Sequence, residues 1–277
     1  MMILKKPMTI ILSFIVLILI LLVVGKVFVS LKFKNEVGTL FSESGNISHK
    51  KFHYNQLQGL PEPVQRYFRL VLKEGQPYIS YIRLKHDGLF KTDQKKDWVA
   101  IAGEQYFTTQ TPGFIWKGTT SMFTAKDRYI SSTGRLVVSL FSILKIADGR
   151  GEKYDHGELL RWLGESVWFP TNLLPNQHLQ WFPIDNTTAR LAFSYNNISI
   201  SYIVSFNAKG EIIHFQTQRY MGDGGLTTWI GIVSNYKKIN GVKVPTTIEA
   251  IYRLKEGDFS YAKFKVNKIE YDKPFKF

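Results

Sequence analysis

The chain contains no cysteine. That excludes a disulfide framework, a thiolate metal centre, a cysteine nucleophile and a lipid-modified cysteine anchor. Acidic residues are scarce beside basic ones, 22 Asp+Glu against 36 Lys+Arg, so the 277 residues carry a formal charge of +14. No run reaches the five or six like charges of a basic tail, and the charge is therefore spread over a folded surface. Motifs that would write a reaction into the sequence are missing. There is no G-x-S-x-G, no Walker A loop, no H-E-x-x-H and no Rossmann glycine pattern, so no cofactor is expected and an enzyme is the less favoured class. Zinc-finger spacing and RNP-type aromatic motifs are absent too, and no nucleic-acid partner is expected. No 20–50-residue repeat marks a solenoid.

What is abundant is apolar and aromatic. Apolar residues make up 44% of the chain, enough for a real core, and 20 Phe, 14 Tyr and 6 Trp favour pleated surfaces. One long apolar run stands at the N-terminus. From Met8 to Val24 only Thr9 and Ser13 are polar, and after Gly25-Lys26 the apolar character resumes to Leu31. As a helix the stretch 8–31 rises about 36 Å, enough to cross a hydrocarbon core of about 30 Å. A cleaved signal peptide is the rival reading, with Lys5 and Lys6 in its n-region and Val23-Val24-Gly25 as a poor cleavage site. The length of the run favours an uncleaved signal-anchor. Lys5 and Lys6 on one side and Lys26, Lys32 and Lys34 on the other do not fix the orientation. A short tail before a first anchor ordinarily stays cytoplasmic, which places the globular part outside the cytoplasmic membrane as a single-pass protein. The expected organisation is an anchor over residues 1–34, a polar stalk over 35–59 and a single β-rich domain over 60–277.

Only three Lys and no acid fall in residues 1–30, so the remainder keeps a net charge of +11. Its basic residues recur in small groups, His49-Lys50-Lys51, Lys95-Lys96, Lys237-Lys238, and Lys263, Lys265 and Lys268. Such a surface suits anionic lipid head groups or an anionic envelope polymer, and equally a merely solvated exterior.

Two helices and many strands follow from the periodicity. Pro63 sits in the first turn of a helix, and Val64, Tyr67, Phe68, Val71 and Leu72 form its apolar stripe until Gly75 and Pro77 end it. Asp155, with Glu158 three residues on, reads as the N-cap of a second helix that runs to about Trp168 and stops before Pro170. Elsewhere the period is two. Val242 to Leu254, Ile198 to Phe206, and Ala262, Phe264 and Val266 alternate with polar residues, as strands with one wet face do. Asn240-Gly241 is a hairpin turn signal, and Asn207–Gly210 and Asp93–Asp97 are further turn candidates. Strands that do not alternate with helices argue against a parallel βαβ sheet. The fold class is mainly β with a few packed helices.

Chemical constellations are weak. His49 and His53 have i, i+4 spacing without a third ligand, so no metal site is expected. His86 and Asp87 would point to opposite faces of a strand. His156 with Glu158 is a further acid–base pairing without a nucleophile, and no catalytic residue is assigned. Met221-Gly222-Asp223-Gly224-Gly225 reads as a flexible connection rather than a phosphate cradle. The best candidate for a ligand-binding or structural polar face is Glu158, Arg161, Glu165 and Trp168, which share one side of the second helix. Its plain alternative is a structural salt bridge. Trp116 and Trp168 read as core anchors.

The strings LPEPVQRYFR (60–69), PGFIW (112–116), ELLRWLGESVWFPTNLL (158–174) and NGVKVPTTIEA (240–250) resemble those of a family of bacterial membrane-anchored proteins of unknown function. That family has no established activity, so the resemblance transfers no site residue. The hairpin from Tyr236 to Pro245 is similar to one in the lipoprotein-carrier superfamily. This likeness implies a strongly curved antiparallel sheet, a half-barrel closed by helices over an apolar cavity. Two functions are compatible with these features. One is a membrane-tethered module that binds a lipid, a lipoprotein chain or another apolar ligand. The other is a structural adaptor of an envelope assembly that recruits an envelope protein through its basic face or a strand edge.

Overall fold

The computed structural model describes residues 5–142, 144–222 and 224–277. Residues 1–4 of the charged leader, and Asp223 of the glycine-rich connection, lie outside them. The helices are α1 (Lys5–Ser42), α2 (Glu62–Val71) and α3 (Glu152–Glu165). A first run of strands comprises β1 (Tyr81–Phe90), β2 (Val99–Thr108), β3 (Gly113–Thr119), β4 (Phe123–Ile130), β5 (Thr133–Leu140) and β6 (Leu144–Arg150). After α3 come β7 (Leu179–Pro183), β8 (Thr188–Tyr195), β9 (Ile198–Phe206), β10 (Ile212–Tyr220), β11 (Leu226–Ile239), β12 (Val242–Leu254) and β13 (Gly257–Tyr271).

All thirteen strands join one open antiparallel sheet in the order β6-β5-β4-β3-β2-β1-β13-β12-β11-β10-β9-β8-β7. Every neighbour is a neighbour in sequence except β1 and β13. The chain therefore meanders outward from β1 to one edge, crosses by α3 to the other edge, and meanders back until β13 pairs with β1. The crossing carries α3 over one face, where it touches β3–β6 and also β9 and β10.

The alternation written in the sequence produces the strands where it is strictest. β9 and β12 have the bounds that the two-residue period predicts. Asn240 (φ 49°) and Gly241 (φ 86°) both take the left-handed conformation that a tight two-residue hairpin requires. The second helix differs at its start. Gly151, at φ 93°, caps it one turn earlier than Asp155, whose Oδ1 instead accepts the Gly134 N–H at 2.6 Å. Holding a strand outweighs local capping there.

The segment from Asn35 to Gln58, read from its polarity as a stalk, is folded onto the domain. α1 runs unbroken to Ser42, and its Phe33, Val37, Leu40 and Phe41 are buried against Tyr81, Tyr106, Ile115 and Ile130. Their spacing (i, i+4, i+7, i+8) is an amphipathic stripe, obscured because the apolar run before it dominates any window that spans both. Phe52 and Leu57 are likewise fully buried in the main core. Most of the polarity of this segment belongs to its outer side, with Glu36 the exception that turns toward the sheet.

The sheet thus separates two apolar layers by parity. Tyr81, Tyr106, Ile115 and Ile130 face α1, while Ile82, Phe107, Phe114 and Tyr129 face α3 and the main core. β4 shows the division in charge as well. Its Lys126 pairs with Glu36 of α1 on one face, and its Asp127 pairs with Arg161 of α3 on the other.

Candidate functional site

Between α3 and the inner face of the sheet lies a cavity of about 410 Å³. Its walls are apolar and aromatic, with Trp116, Phe123, Phe215, Trp229, Tyr252 and Phe264 among the lining residues. That is within the usual size of a small-molecule site, roughly 300–1,000 Å³. One wall is charged. Glu158, Arg161 and Glu165 reach it from α3, Asp127 from β4 and Arg219 from β10.

Glu158, Arg161 and Glu165 follow one another at intervals of three and four, which stacks them on one side of a helix. The structure brings those three together in the cavity wall. Trp168 is not with them. α3 ends at Glu165, and Ser166–Trp168 winds as a tighter 3-10 turn, so the rotation that would keep Trp168 on the face is lost. Its ring is buried in the core beside Phe107, and its backbone oxygen accepts the Tyr271 hydroxyl at 2.7 Å.

Arg161 ties the wall together. Its Nε donates to Glu165 Oε1 at 3.0 Å and its Nη1 to Asp127 Oδ2, while the guanidinium lies 4.7 Å from the Trp116 ring and 5.2 Å from that of Phe114. Glu165 also accepts from Gln105 Nε2 at 2.5 Å. Arg219 is held more loosely, with 3.4 Å from its Nη1 to the Tyr261 hydroxyl and 3.9 Å from its Nη2 to Glu158 Oε1. Two buried acceptors on this wall have no partner, Asp127 Oδ1 and Glu158 Oε2.

Three carboxyls face two guanidinium groups in a site away from water. Burial pushes Glu158 up to about 8, and the negative charge of Asp127 adds to the rise. Burial also raises Asp127 and Glu165, against the pull of Arg161 on both. With Glu158 protonated and the other two carboxyls ionised, two carboxylates face two arginines and the wall carries no net charge.

Asp127 and Arg219 escaped the sequence reading, although each left a trace. Asp127 stands in the inward register of β4 with Phe123, Ala125 and Tyr129, and Arg219 in that of β10 with Phe215 and Thr217. A lone charge in an apolar register is the signal, because an unpaired charge is costly to bury.

The histidines lie elsewhere or serve packing. His86 stacks on the Phe264 ring, 4.2 Å between centroids, and accepts the Trp116 indole N–H at 2.8 Å, and burial holds it down at about 4. Trp116 is at once a core anchor, 3% exposed, and a lining residue of the cavity. His156 is half-buried at the edge-on ring of Tyr220. His53 pairs with Glu74 at 2.6 Å on the surface, away from His49 as a ligand partner. Among the described residues no group of three or more His, Asp or Glu is arranged to hold a metal ion.

The chain belongs to DUF6544, a family of unknown function, whose model matches residues 50–264. None of the curated proteins compared with it matches. Among solved structures, it is similar to a domain from Vibrio parahaemolyticus named for outer membrane lipoprotein sorting. The identity is 10%, the coverage 71% of this chain and 87% of that one, and the TM-score 0.40. A LolA superfamily protein from Nitrosomonas europaea matches with 12% identity, 76% and 92% coverage, and a TM-score of 0.38.

Proposed function

We propose that this protein is a membrane-anchored, non-enzymatic binding module whose cavity holds a lipid with an apolar body and a hydrogen-bond-donating head. The observation that carries the reading is the pairing of a 410 Å³ apolar cavity with one polar wall on which Asp127 Oδ1 and Glu158 Oε2 lack partners. Buried polar atoms are ordinarily satisfied, and a ligand's N–H or O–H would satisfy Asp127 Oδ1, while the Glu158 carboxyl, when it holds a proton, would pair with a hydroxyl that accepts as well as donates. The wall has no surplus positive charge to offer a carboxylate. An uncharged or cationic head, such as a hydroxyl, amide or amine, therefore suits it better than an ionised acid.

The sheet is read as a strongly curved half-barrel around α3. β5 and β10 both touch that helix although they stand eight places apart in the sheet. A flat sheet would hold them roughly 38 Å apart, several times the diameter of a helix, about 10–12 Å. For anchoring, the support is that the Met8–Ser42 part of α1 is long and apolar enough to cross a membrane, with its most apolar stretch unburied by the protein. We place the anchor at the N-terminal part of α1, and read its C-terminal turns and everything after them as one extracytoplasmic domain. The aqueous surface, with its excess of Lys and Arg, then faces anionic lipid or envelope polymer.

The test is native mass spectrometry of the full chain in detergent, with monopalmitoylglycerol, hexadecylamine and palmitate as probes. The glycerol ester and the amine should bind with one-to-one stoichiometry and palmitate at least about tenfold more weakly, a difference of about 1.4 kcal/mol. No uptake of any of the three would sink the proposal.

A further inference from the structure

The cavity has a mouth, and the course of α1 says what lies in front of it. α1 packs on the outer face of the sheet nearly antiparallel to β3. Leu40 lies against Gly113, and Phe33 lies under the ammonium of Lys117, 4.4 Å from its ring centre. Followed towards its N-terminus, the helix therefore runs past the end of β3, to the turn that joins β3 to β4. That turn begins three residues after Lys117, about 10 Å along a strand. A helix covers about 10 Å in roughly seven residues, which brings the turn level with Lys26. Lys26 stands between the apolar run that ends at Val24 and the last apolar residues of the spanning stretch, Val27 to Leu31. This end of the sheet thus lies at the boundary of the membrane segment.

The same end exposes apolar side chains without an evident partner. Met122 in the β3–β4 turn is 56% exposed, Phe141 in the β5–β6 turn 51%, and Leu144 and Ile146 in β6 61% and 57%. Met122 and Phe141 are adjacent, since the Phe141 N–H donates to the Met122 carbonyl at 2.7 Å. Isolated exposed apolar residues are ordinary, but a contiguous group marks a contact surface. The rim of the cavity is here as well. Thr92 after β1, Phe123 at the start of β4, and Ile146 line it, and Thr92 and Ile146 are exposed. Glu158, Arg161 and Glu165 form its buried inner wall. Charge adds less at this end than the apolar group, because Asp93 and Asp97 offset Lys95 and Lys96, and Lys145 pairs with Asp148, which leaves Lys91.

We infer that Met122, Phe141, Leu144 and Ile146 dip into the lipid interface, so that the cavity mouth opens onto the bilayer and exchanges its lipid directly with the adjacent leaflet. This rests on the anchored, lipid-binding reading above. The contact is apolar and the anchor sets its depth: α1 is fixed to the domain by the Phe33–Phe41 stripe, so the mouth is held at a constant height. A lipid would move chain-first or head-first along the apolar walls without crossing water.

The absence of cysteine makes the test clean, since every introduced thiol is the sole one. The full chain, reconstituted in phosphatidylglycerol–phosphatidylethanolamine vesicles, would carry a fluorophore at Met122→Cys, Phe141→Cys or, as a control, Lys209→Cys in the β9–β10 turn. Nitroxide-bearing lipids should quench the first two and leave the third unchanged, and added salt should not alter the pattern. In parallel, transfer of a fluorescent monoacylglycerol from vesicles should slow by about tenfold or more in the Met122→Asp/Phe141→Asp double variant. Binding of the same probe delivered in detergent should stay unchanged, which also reports that the variant is folded. Labels at 122 and 141 that meet aqueous iodide as freely as the label at 209 would overturn the inference while the binding reading stands. Unaltered transfer in the double variant would do the same. A probe that fails to bind even from detergent overturns the binding reading and this one with it.

Discussion

Arg161 holds the polar wall by contacts of three kinds: a carboxylate on its own helix, a carboxylate on β4 and the faces of two aromatic rings. Taking it away leaves Asp127 and Glu165 as buried charges without their paired counter-ion, with only the more distant Arg219 opposite them. Arg161→Ala should therefore cost about 3–5 kcal/mol in chemical denaturation of the detergent-solubilised protein. Arg253→Ala, which removes an exposed pair with Asp258, should leave the denaturation midpoint unchanged. Glu158 gives a pH signature. Its carboxyl titrates near 4.5 in the unfolded chain and about 8 in the folded one, so the folded state holds a proton that the unfolded state has released. The stability this contributes is complete below about 4.5 and is lost as the pH rises through about 8. The buried histidines act oppositely, but only below their ordinary 6.5. The melting temperature should hence fall between pH 6.5 and about 8.5, and Glu158→Gln should flatten that slope. A profile equally steep in the variant would assign the dependence to another group. Three of the four residues of the proposed polar face were legible from helical spacing. Trp168 was misplaced because the spacing rule fails once an α-helix tightens, and nothing in the sequence marks Glu165 as its last residue.

At the scale of elements, the sheet is organised by which helix each face meets. α1 continues from its apolar N-terminal run into a stripe that packs on β2 and β3, and the ion pair of Lys126 with Glu36 fixes it sideways. Leu40 is 2% exposed in that layer. Leu40→Ala should destabilise the domain by about 2–5 kcal/mol, the usual cost of truncating a buried leucine. Were residues 35–59 a loose tether, the same change would leave the unfolding midpoint where it was. Strands β9 and β12, part of β13 and the Asn240-Gly241 hairpin were readable, since a strict period of two with Asn-Gly between runs has few other interpretations, whereas β1 to β8 were not placed. Helix limits were not readable either. Gly134 explains one of them: a Cβ there would lie 2.3 Å from the Tyr154 carbonyl oxygen, so the start of α3 rests directly on β5. Such close approach is a relation between segments twenty residues apart and leaves no mark in either alone.

For the whole molecule, the inner face of the sheet could be filled by α3 or left partly open. Both occur: α3 and the turns after it seal one part with Trp162, Trp168 and Phe169, and the remainder stays open beside Glu158 and Arg161. Ala250 of β12 lines the open part. Ala250→Leu should occupy volume a lipid chain needs, reducing uptake of monopalmitoylglycerol by about tenfold without lowering the melting temperature. A fall in melting temperature alongside lost uptake would instead point to overpacking. By itself the sequence determined the apolar N-terminal run, the strictly alternating strands β9 and β12, the main hairpin and the helix that carries Glu158, Arg161 and Glu165, because each follows from a period or a turn within a few residues. Only the tertiary structure decided that β1 pairs with β13, that α1 belongs to the domain, and that Asp127 and Arg219 complete the polar wall. Those depend on which faces meet after the chain has crossed from one edge of the sheet to the other. The energy that selects the meeting, burial of apolar surface, is non-directional and carries no address in the sequence.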